Sequence, residues 1–217
     1  MKKHLCALFD LDGVIVDTAK YHFLAWKSIA SKIGYDLTNK DNEQLKGIGR
    51  ADSLRQICKW AGVTLDPAKF NQFLIEKNEV YLSFIQNLGP SEMLPGIYDG
   101  LLLLTKKGVK IGLGSASKNA NYILEKLELS PFFQVIIDGN QVEKGKPNPE
   151  VFLKGAAALN VAPNACVVFE DSAAGILAAK AAEMTAVALG QPNAFTGFDY
   201  CYPDFLPLSK KGIQQLF

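Results

Sequence analysis

Four short apolar runs in the second half of the chain alternate with helix-length segments, and this alternation constrains the fold more than any other feature. The apolar runs lie at 110–114, 134–137, 166–169 and 185–189. The segments that precede them have helical periodicity and lie at 97–107, 119–128, 149–160 and 173–182. Strands that alternate with helices indicate βαβ units and a parallel sheet. The chain is therefore predicted to contain an α/β domain.

A fifth apolar run, at 5–9, is followed by two acidic residues, Asp10 and Asp12, and then by Gly13. At strand spacing, residues i and i+2 point to the same side, so both carboxylates are expected in one pocket. Two like charges this close are costly unless a cation or a shared proton compensates. Mg²⁺ suits an all-oxygen site that also holds a phosphate, and a carboxylate can attack phosphorus. The alternative interpretation is an ordinary strand followed by an Asp/Gly turn.

The segment between these two regions is predicted to be helical throughout. Apolar residues recur every three or four positions at 21–33, and further helices are expected at 40–46, 50–61 and 67–87. We therefore predict a Rossmann-like α/β core domain formed by residues 1–16 and 92–217. An all-helical domain, residues 17–91, is inserted after the first strand.

Composition excludes several classes of protein. With 217 residues, 48% of them hydrophobic, the chain can bury a substantial core. The net charge of +1, with acids and bases interspersed, predicts neither a nucleic-acid nor a membrane partner. The apolar stretch that follows the basic N-terminus ends at Asp10, which is too short for a signal peptide or a membrane span. Four cysteines without CxxC spacing indicate reduced thiols and a cytoplasmic location.

Polar residues follow the other predicted strands, and in open parallel sheets ligands bind at the carboxyl ends of the strands. The second strand is followed by Ser115, Ala116, Ser117 and Asn119, which could bind an anion or merely cap a helix.

The loop between the third strand and the predicted helix at 149–160 carries Lys146 ahead of Pro147, and this lysine could neutralise a phosphate or simply be solvated. The fourth strand ends in Glu170 and Asp171, which could complete a metal site or only favour the helix dipole.

This order of motifs resembles the haloacid-dehalogenase superfamily of phosphotransferases over essentially the whole chain. The resemblance implies that Asp10 is the nucleophile, that Asp12 is the general acid and base, and that Ser115 and Lys146 contact phosphate. It implies a Mg²⁺ cofactor held by Asp10, the backbone carbonyl of Asp12, Asp171 and Glu170. The helical insert, residues 17–91, resembles the cap domain of this superfamily, and we call it the cap.

Within the superfamily, the cap and the loop after the second strand resemble the hexose-phosphate mutases. The resemblance implies substrate contacts by Thr18, His22, Lys46, Gly47, Arg50, Ser53, Lys77, Ala116, Ser117 and Asn119. The implied reaction interconverts β-glucose 1-phosphate and glucose 6-phosphate through an aspartyl-phosphate and a 1,6-bisphosphate. A small sugar phosphate is then the partner of a monomeric enzyme. The alternative is a sugar-phosphate phosphatase with the same core, because the core motifs alone do not separate the two.

Overall fold

The computed structural model describes residues 4–217 and contains a six-stranded parallel sheet in the order β3-β2-β1-β4-β5-β6. The strands are β1 (Cys6–Phe9), β2 (Lys110–Gly114), β3 (Val135–Ile137), β4 (Cys166–Glu170), β5 (Thr185–Leu189) and β6 (Tyr200–Tyr202). Five of them were predicted, but β6 was not. The predicted α/β class, with a parallel sheet, is confirmed.

Helices cover both faces of the sheet, and the two faces of β1 show how. Ala7 and Phe9 pack into one buried cluster, whereas Cys6 and Leu8 pack into another. This alternation is what a strand buried on both sides requires. Helices α5 (Ile97–Lys106), α6 (Ala120–Lys126) and α9 (Ile213–Leu216) contribute to the first cluster. Helices α7 (Glu150–Ala158) and α8 (Ala173–Ala181) contribute to the second.

Four helices lie between β1 and α5, as predicted: α1 (Ala19–Lys32), α2 (Asn39–Glu43), α3 (Arg50–Ala61) and α4 (Pro67–Ile85). Helices α1, α3 and α4 share a buried cluster of their own that includes Trp26, Leu54 and Phe73. Tyr81 and Ile85, at the end of α4, pack instead into the core beside the sheet. The cap thus has an independent core, and its boundaries at residues 17 and 91 stay a prediction.

Within residues 4–217, no helix combines the length and apolarity needed to cross a membrane. Cys6, Cys58 and Cys166 are buried free thiols, and Cys201 is a half-buried free thiol, as predicted for reduced cysteines. Residues 1–3 of the basic N-terminal stretch lie outside the described residues.

Candidate active site

A cleft lies between the carboxyl edge of the sheet and the cap. Eleven predicted site residues line it: Asp10, Asp12, His22, Lys46, Gly47, Arg50, Ser53, Lys77, Ala116, Ser117 and Asp171. The other predicted site residues are not part of the lining: Thr18, Ser115, Asn119, Lys146 and Glu170. The fold therefore brings residues from the β1, β2 and β4 ends to one cleft, opposite residues of the cap.

Lys146 lies at the centre of a buried ionic cluster below this cleft. Its Nζ donates to Asp10 Oδ1 at 2.6 Å and to Glu170 Oε1 at 2.5 Å. Burial alone would lower the pKa of Lys146, but the two carboxylates raise it above its usual value. The lysine is therefore a fixed positive charge beside Asp10. The alternative of a solvated lysine is excluded, because only 4% of Lys146 is exposed.

Three carboxylates at the strand ends fit a divalent cation. One oxygen each from Asp10, Glu170 and Asp171 lies within 4.8 Å of the others. Burial, with the neighbouring carboxylates, raises the pKa of Asp171 well above its usual value and that of Asp10 to about 7, although Lys146 opposes the second shift. The ionised forms of these carboxylates repel one another. A hard divalent cation bound by their oxygens would offset this repulsion.

Two local features bring the carboxylates together. Gly13 has a φ of +83°, and a β-carbon there would lie 2.0 Å from Asp171 Oδ2, so glycine is required for this approach. Glu170 Oε2 accepts from the backbone N–H of Ser172 at 3.0 Å and from its hydroxyl at 2.8 Å. Ser172 also caps helix α8, because its oxygen accepts from the Gly175 N–H at 3.0 Å.

Asp12 has different neighbours from Asp10. Its Oδ1 accepts a hydrogen bond from the Thr18 hydroxyl and lies 3.6 Å from His22 Nε2. Burial pushes the pKa of Asp12 upwards, but the His22 ring and the Thr18 hydroxyl hold it below its usual value. The side chain of Asp12 is not part of the carboxylate cluster. This environment leaves Asp12 free to accept a proton.

His22 connects Asp12 with Lys77 of the cap. The Lys77 Nζ lies 2.8 Å from His22 Nδ1, and it also lies over the rings of Trp26 and Tyr81 at 5.0 and 4.7 Å from their centroids. Burial and the nearby Arg50 lower the pKa of Lys77 to about 7. Burial and Lys77 lower the pKa of His22, which favours a neutral ring. Among the described residues, its Nε2 has no hydrogen-bond partner.

A second group of donors lies where the cap meets the loop after β2. Arg50 donates to Asn78 Oδ1 at 2.7 Å, and the Asn119 side chain donates to the same oxygen at 2.9 Å. The Asn119 side chain does not cap α6, so capping does not explain this residue. The Ser115 hydroxyl accepts from the Ser117 N–H at 3.0 Å, which orders the loop.

The loop before α3 brings the cap against the edge of the sheet that carries the carboxylate cluster. A β-carbon on Gly47, which has a φ of +74°, would lie 2.3 Å from the Ser172 hydroxyl. Lys46 counteracts the raised pKa of Asp171, and its Nζ pairs with Glu43 at 2.9 Å. The Ser53 hydroxyl donates to the Gly49 carbonyl at 3.2 Å, which ties the loop to the first turn of α3.

Several residues of the site were not predicted from the sequence. Asn42, Leu45, Ile48, Lys118 and Trp26 line the cleft. Asn78 lies beside the cleft and joins Arg50 to Asn119. The spacing of apolar residues in α4 predicts which face of the helix is buried. It does not show whether a polar residue such as Asn78 faces solvent or a cleft.

The geometry at this edge of the sheet is that of a phosphotransfer site. It combines acids after the first strand, a hydroxyl after the second, a lysine and an acidic pair. The sequence model of the haloacid dehalogenase-like hydrolases matches residues 5–183. The chain belongs to this family, and the predicted resemblance is confirmed.

Comparisons with individual proteins find both mutases and phosphatases. The chain is 44% identical over 194 residues to a β-phosphoglucomutase of Bacillus subtilis (strain 168), with 88% of this chain and 86% of the relative covered. The crystal structure of a β-phosphoglucomutase from Clostridium difficile is similar, with a TM-score of 0.94 and 38% identity, covering 98% of this chain and 96% of the other. A fructose-1-phosphate phosphatase of Escherichia coli (strain K12) is 32% identical over 180 residues, covering 83% of this chain and 93% of the relative.

Proposed function

We propose that the protein is a Mg²⁺-dependent β-phosphoglucomutase that interconverts β-D-glucose 1-phosphate and D-glucose 6-phosphate. The similarity to the Bacillus subtilis and Clostridium difficile mutases supports this choice within the family. We further propose that it acts as a monomer in the cytoplasm, with a small sugar phosphate as its partner and no nucleic-acid or membrane partner.

The observation that carries the proposal is that the cleft has two regions suited to phosphate. At one end, Asp10 and Lys146 adjoin the carboxylate cluster. At the other, Arg50 and Asn119 present their donors across the cap–core boundary. A bisphosphate intermediate needs two such regions, whereas hydrolysis of a monophosphate needs one. Arginine suits the second region because its planar fork binds phosphate oxygens in pairs.

In the proposed cycle, Asp10 carries the phosphoryl group and Asp12 moves the protons. The carboxylate of Asp12 takes the proton of the sugar hydroxyl at C6, whose oxygen attacks the phosphorus on Asp10 and releases the Asp10 carboxylate. The resulting 1,6-bisphosphate turns around in the cleft. Asp10 then attacks the phosphorus at C1, and Asp12 returns its proton to the leaving oxygen, which completes glucose 6-phosphate.

The surrounding charges stabilise the transferring group. Lys146 is a fixed cation in a dry site, where an electrostatic contact is worth much more than in water. Asp10, Glu170, Asp171 and the backbone carbonyl of Asp12 are the proposed Mg²⁺ ligands. When bound, the ion would offset negative charge on the phosphoryl oxygens. The hydroxyl of Ser115 is the proposed further phosphate contact from the β2 end.

The cap supplies the remaining proposed contacts and excludes water. Thr18 and His22 hold Asp12, while Lys46, Gly47, Ser53 and Lys77 of the cap, with Ala116 and Ser117 of the core loop after β2, surround the sugar phosphate. An aspartyl-phosphate must survive until a sugar hydroxyl reaches it, so closure of the cap favours transfer over hydrolysis. The second candidate is a sugar-phosphate phosphatase with the same core, which the 32% identical fructose-1-phosphate phosphatase favours.

The test is to incubate the protein with β-glucose 1-phosphate, Mg²⁺ and a trace of glucose 1,6-bisphosphate, and to follow glucose 6-phosphate and free phosphate together. We expect glucose 6-phosphate in large excess. Arg50→Ala should slow its formation by about a hundredfold, as loss of a charge-assisted contact implies, and should change phosphate release much less. Phosphate release as fast as isomerisation in the wild type would support the phosphatase instead.

A further inference from the structure

Asn78 of α4 is the point at which the cap is hydrogen-bonded to the core away from the two segments that connect them, residues 17–18 and 86–91. Its Oδ1 accepts from the Asn119 side chain at 2.9 Å, and Asn119 belongs to the loop after β2. Among the described residues, this is the one hydrogen bond between residues 39–85 and the sheet domain. Elsewhere along this boundary the contacts are packing contacts, as between Gly47 and Ser172 and where Tyr81 and Ile85 enter the core beside the sheet.

The same oxygen also accepts from Arg50 Nη2, at 2.7 Å. A carbonyl oxygen has two acceptor sites, so both are used, one by a donor of the cap and one by a donor of the core. The contact with Asn119 exists only while the cap lies against the core, whereas the contact with Arg50 lies within the cap. Closing the cap therefore places the Arg50 guanidinium next to the Asn119 amide.

We propose that Asn78 is a positioning residue that latches the cap closed and, by the same contact, assembles the second phosphate region from Arg50 and Asn119. This inference rests on the proposed function. It adds that two events are coupled through closure of the cap. The region that binds the phosphate not being transferred becomes complete at the same time as water is excluded from Asp10. Binding of a bisphosphate at this region would then favour the closed cap, because its ligands and the latch share the same side chains.

Three variants test whether Asn78 acts as a latch or has only a structural role. Asn78→Leu keeps the approximate size of the side chain and removes the acceptor, whereas Asn78→Asp keeps an oxygen acceptor for both donors. Asn71→Leu, at an exposed position of the same helix, is the matched control. Thermal unfolding of all three is compared first, so that loss of the fold is recognised.

The first measurement is the radius of gyration by small-angle X-ray scattering, without ligand and with excess inorganic phosphate. We expect Asn78→Leu to be more expanded than the wild type in both conditions, and the other two variants to match the wild type. This measurement does not depend on which reaction the protein catalyses. A wild type that makes no glucose 6-phosphate would contradict the proposed function, and the scattering comparison would still decide the latch.

The second measurement is the amount of phosphate released per glucose 6-phosphate formed. In Asn78→Leu this ratio should rise about tenfold, as loss of one hydrogen bond implies, while Asn71→Leu leaves it unchanged. Asn78→Asp should keep the wild-type ratio but raise the KM for glucose 1,6-bisphosphate, because its added negative charge lies beside the second phosphate. If Asn78→Leu fails to fold, Asn78→Asp carries the test. A wild-type radius and ratio in Asn78→Leu, or a wild-type KM in Asn78→Asp, overturns the proposal.

Discussion

The ammonium group of Lys146 lies 2.6 Å from Asp10 Oδ1, and both side chains are almost fully buried. The residues are 136 positions apart in the chain, so the fold alone creates this pair. Burial raises the pKa of Asp10 to about 7, even though the attraction of Lys146 lowers it. Since only the ionised carboxylate can attack phosphorus, Lys146 helps to keep the proposed nucleophile reactive.

Replacing Lys146 by Met should therefore remove turnover and weaken the fold. The variant leaves Asp10 and Glu170 without their buried cation, and breaking a buried pair in this way costs about 3–5 kcal/mol. Urea unfolding at neutral pH measures the loss. The matched control is Lys27→Met, which breaks the exposed pair with Asp36 and should change the free energy of unfolding by about 1 kcal/mol or less. Equal losses in the two variants would contradict the structural role of the cluster.

Asp12→Asn should bind Mg²⁺ and sugar phosphate normally but turn over very slowly. The Asp12 side chain lies outside the carboxylate cluster and is bonded to Thr18, so its proposed role is proton transfer rather than ligation of the metal. Calorimetric titration with Mg²⁺ checks the first part, and steady-state kinetics check the second. If the variant no longer binds Mg²⁺, the side chain of Asp12 is a metal ligand and the division of roles is wrong.

The low pKa of Lys77 predicts that the free energy of unfolding depends on pH in an unusual way. Burial and Arg50 lower its pKa from 10.5 to about 7 in the folded protein. Between these values the unfolded chain binds more protons than the folded one, so stability rises with pH, by up to about 1.4 kcal/mol per unit. The free energy of unfolding, measured in urea across this range, should therefore increase with pH in the wild type relative to Lys77→Met. Parallel pH profiles for the two proteins would show that Lys77 titrates normally in the folded state.

Removal of divalent cations should abolish activity, and Mg²⁺ should restore it. The candidate ligands are carboxylate and carbonyl oxygens, which suit Mg²⁺ better than zinc. Activity is measured after dialysis against a chelator and again after each metal is added. Recovery with zinc alone would be inconsistent with this ligand set.

The sequence was sufficient to predict the parallel sheet and the helical insert, because buried strands and amphipathic helices have distinct periods. It did not predict β6, a strand of three residues in which Tyr200 is exposed and only Cys201 and Tyr202 are partly buried. A strand that short and that exposed lacks a continuous apolar run. Its pairing with β5 is decided by tertiary contacts.

The core of the candidate site was predicted for a similar reason. Acids and a hydroxyl directly after buried strands must meet at one edge of a parallel sheet, so their proximity follows from topology. Lys146 lies further along the loop between β3 and α7, so its contact with Asp10 does not follow from topology alone. The cap residues have no such constraint. Lys77 was predicted only through resemblance, and Asn78 and Asn42 were missed, because a polar residue on a helix has the same sequence pattern whether it faces solvent or a cleft.

The central claim is that the phosphoryl group of Asp10 passes to a sugar rather than to water. The direct measurement is a single turnover in which protein phosphorylated with radiolabel is mixed with β-glucose 1-phosphate in the presence of Mg²⁺. Asp10→Asn, which cannot form the acyl phosphate, is the control and should take up no label. We predict that the label leaves the wild-type protein in glucose bisphosphate and glucose 6-phosphate. Label that appears instead as inorganic phosphate, at the same rate with and without the sugar, would contradict the claim.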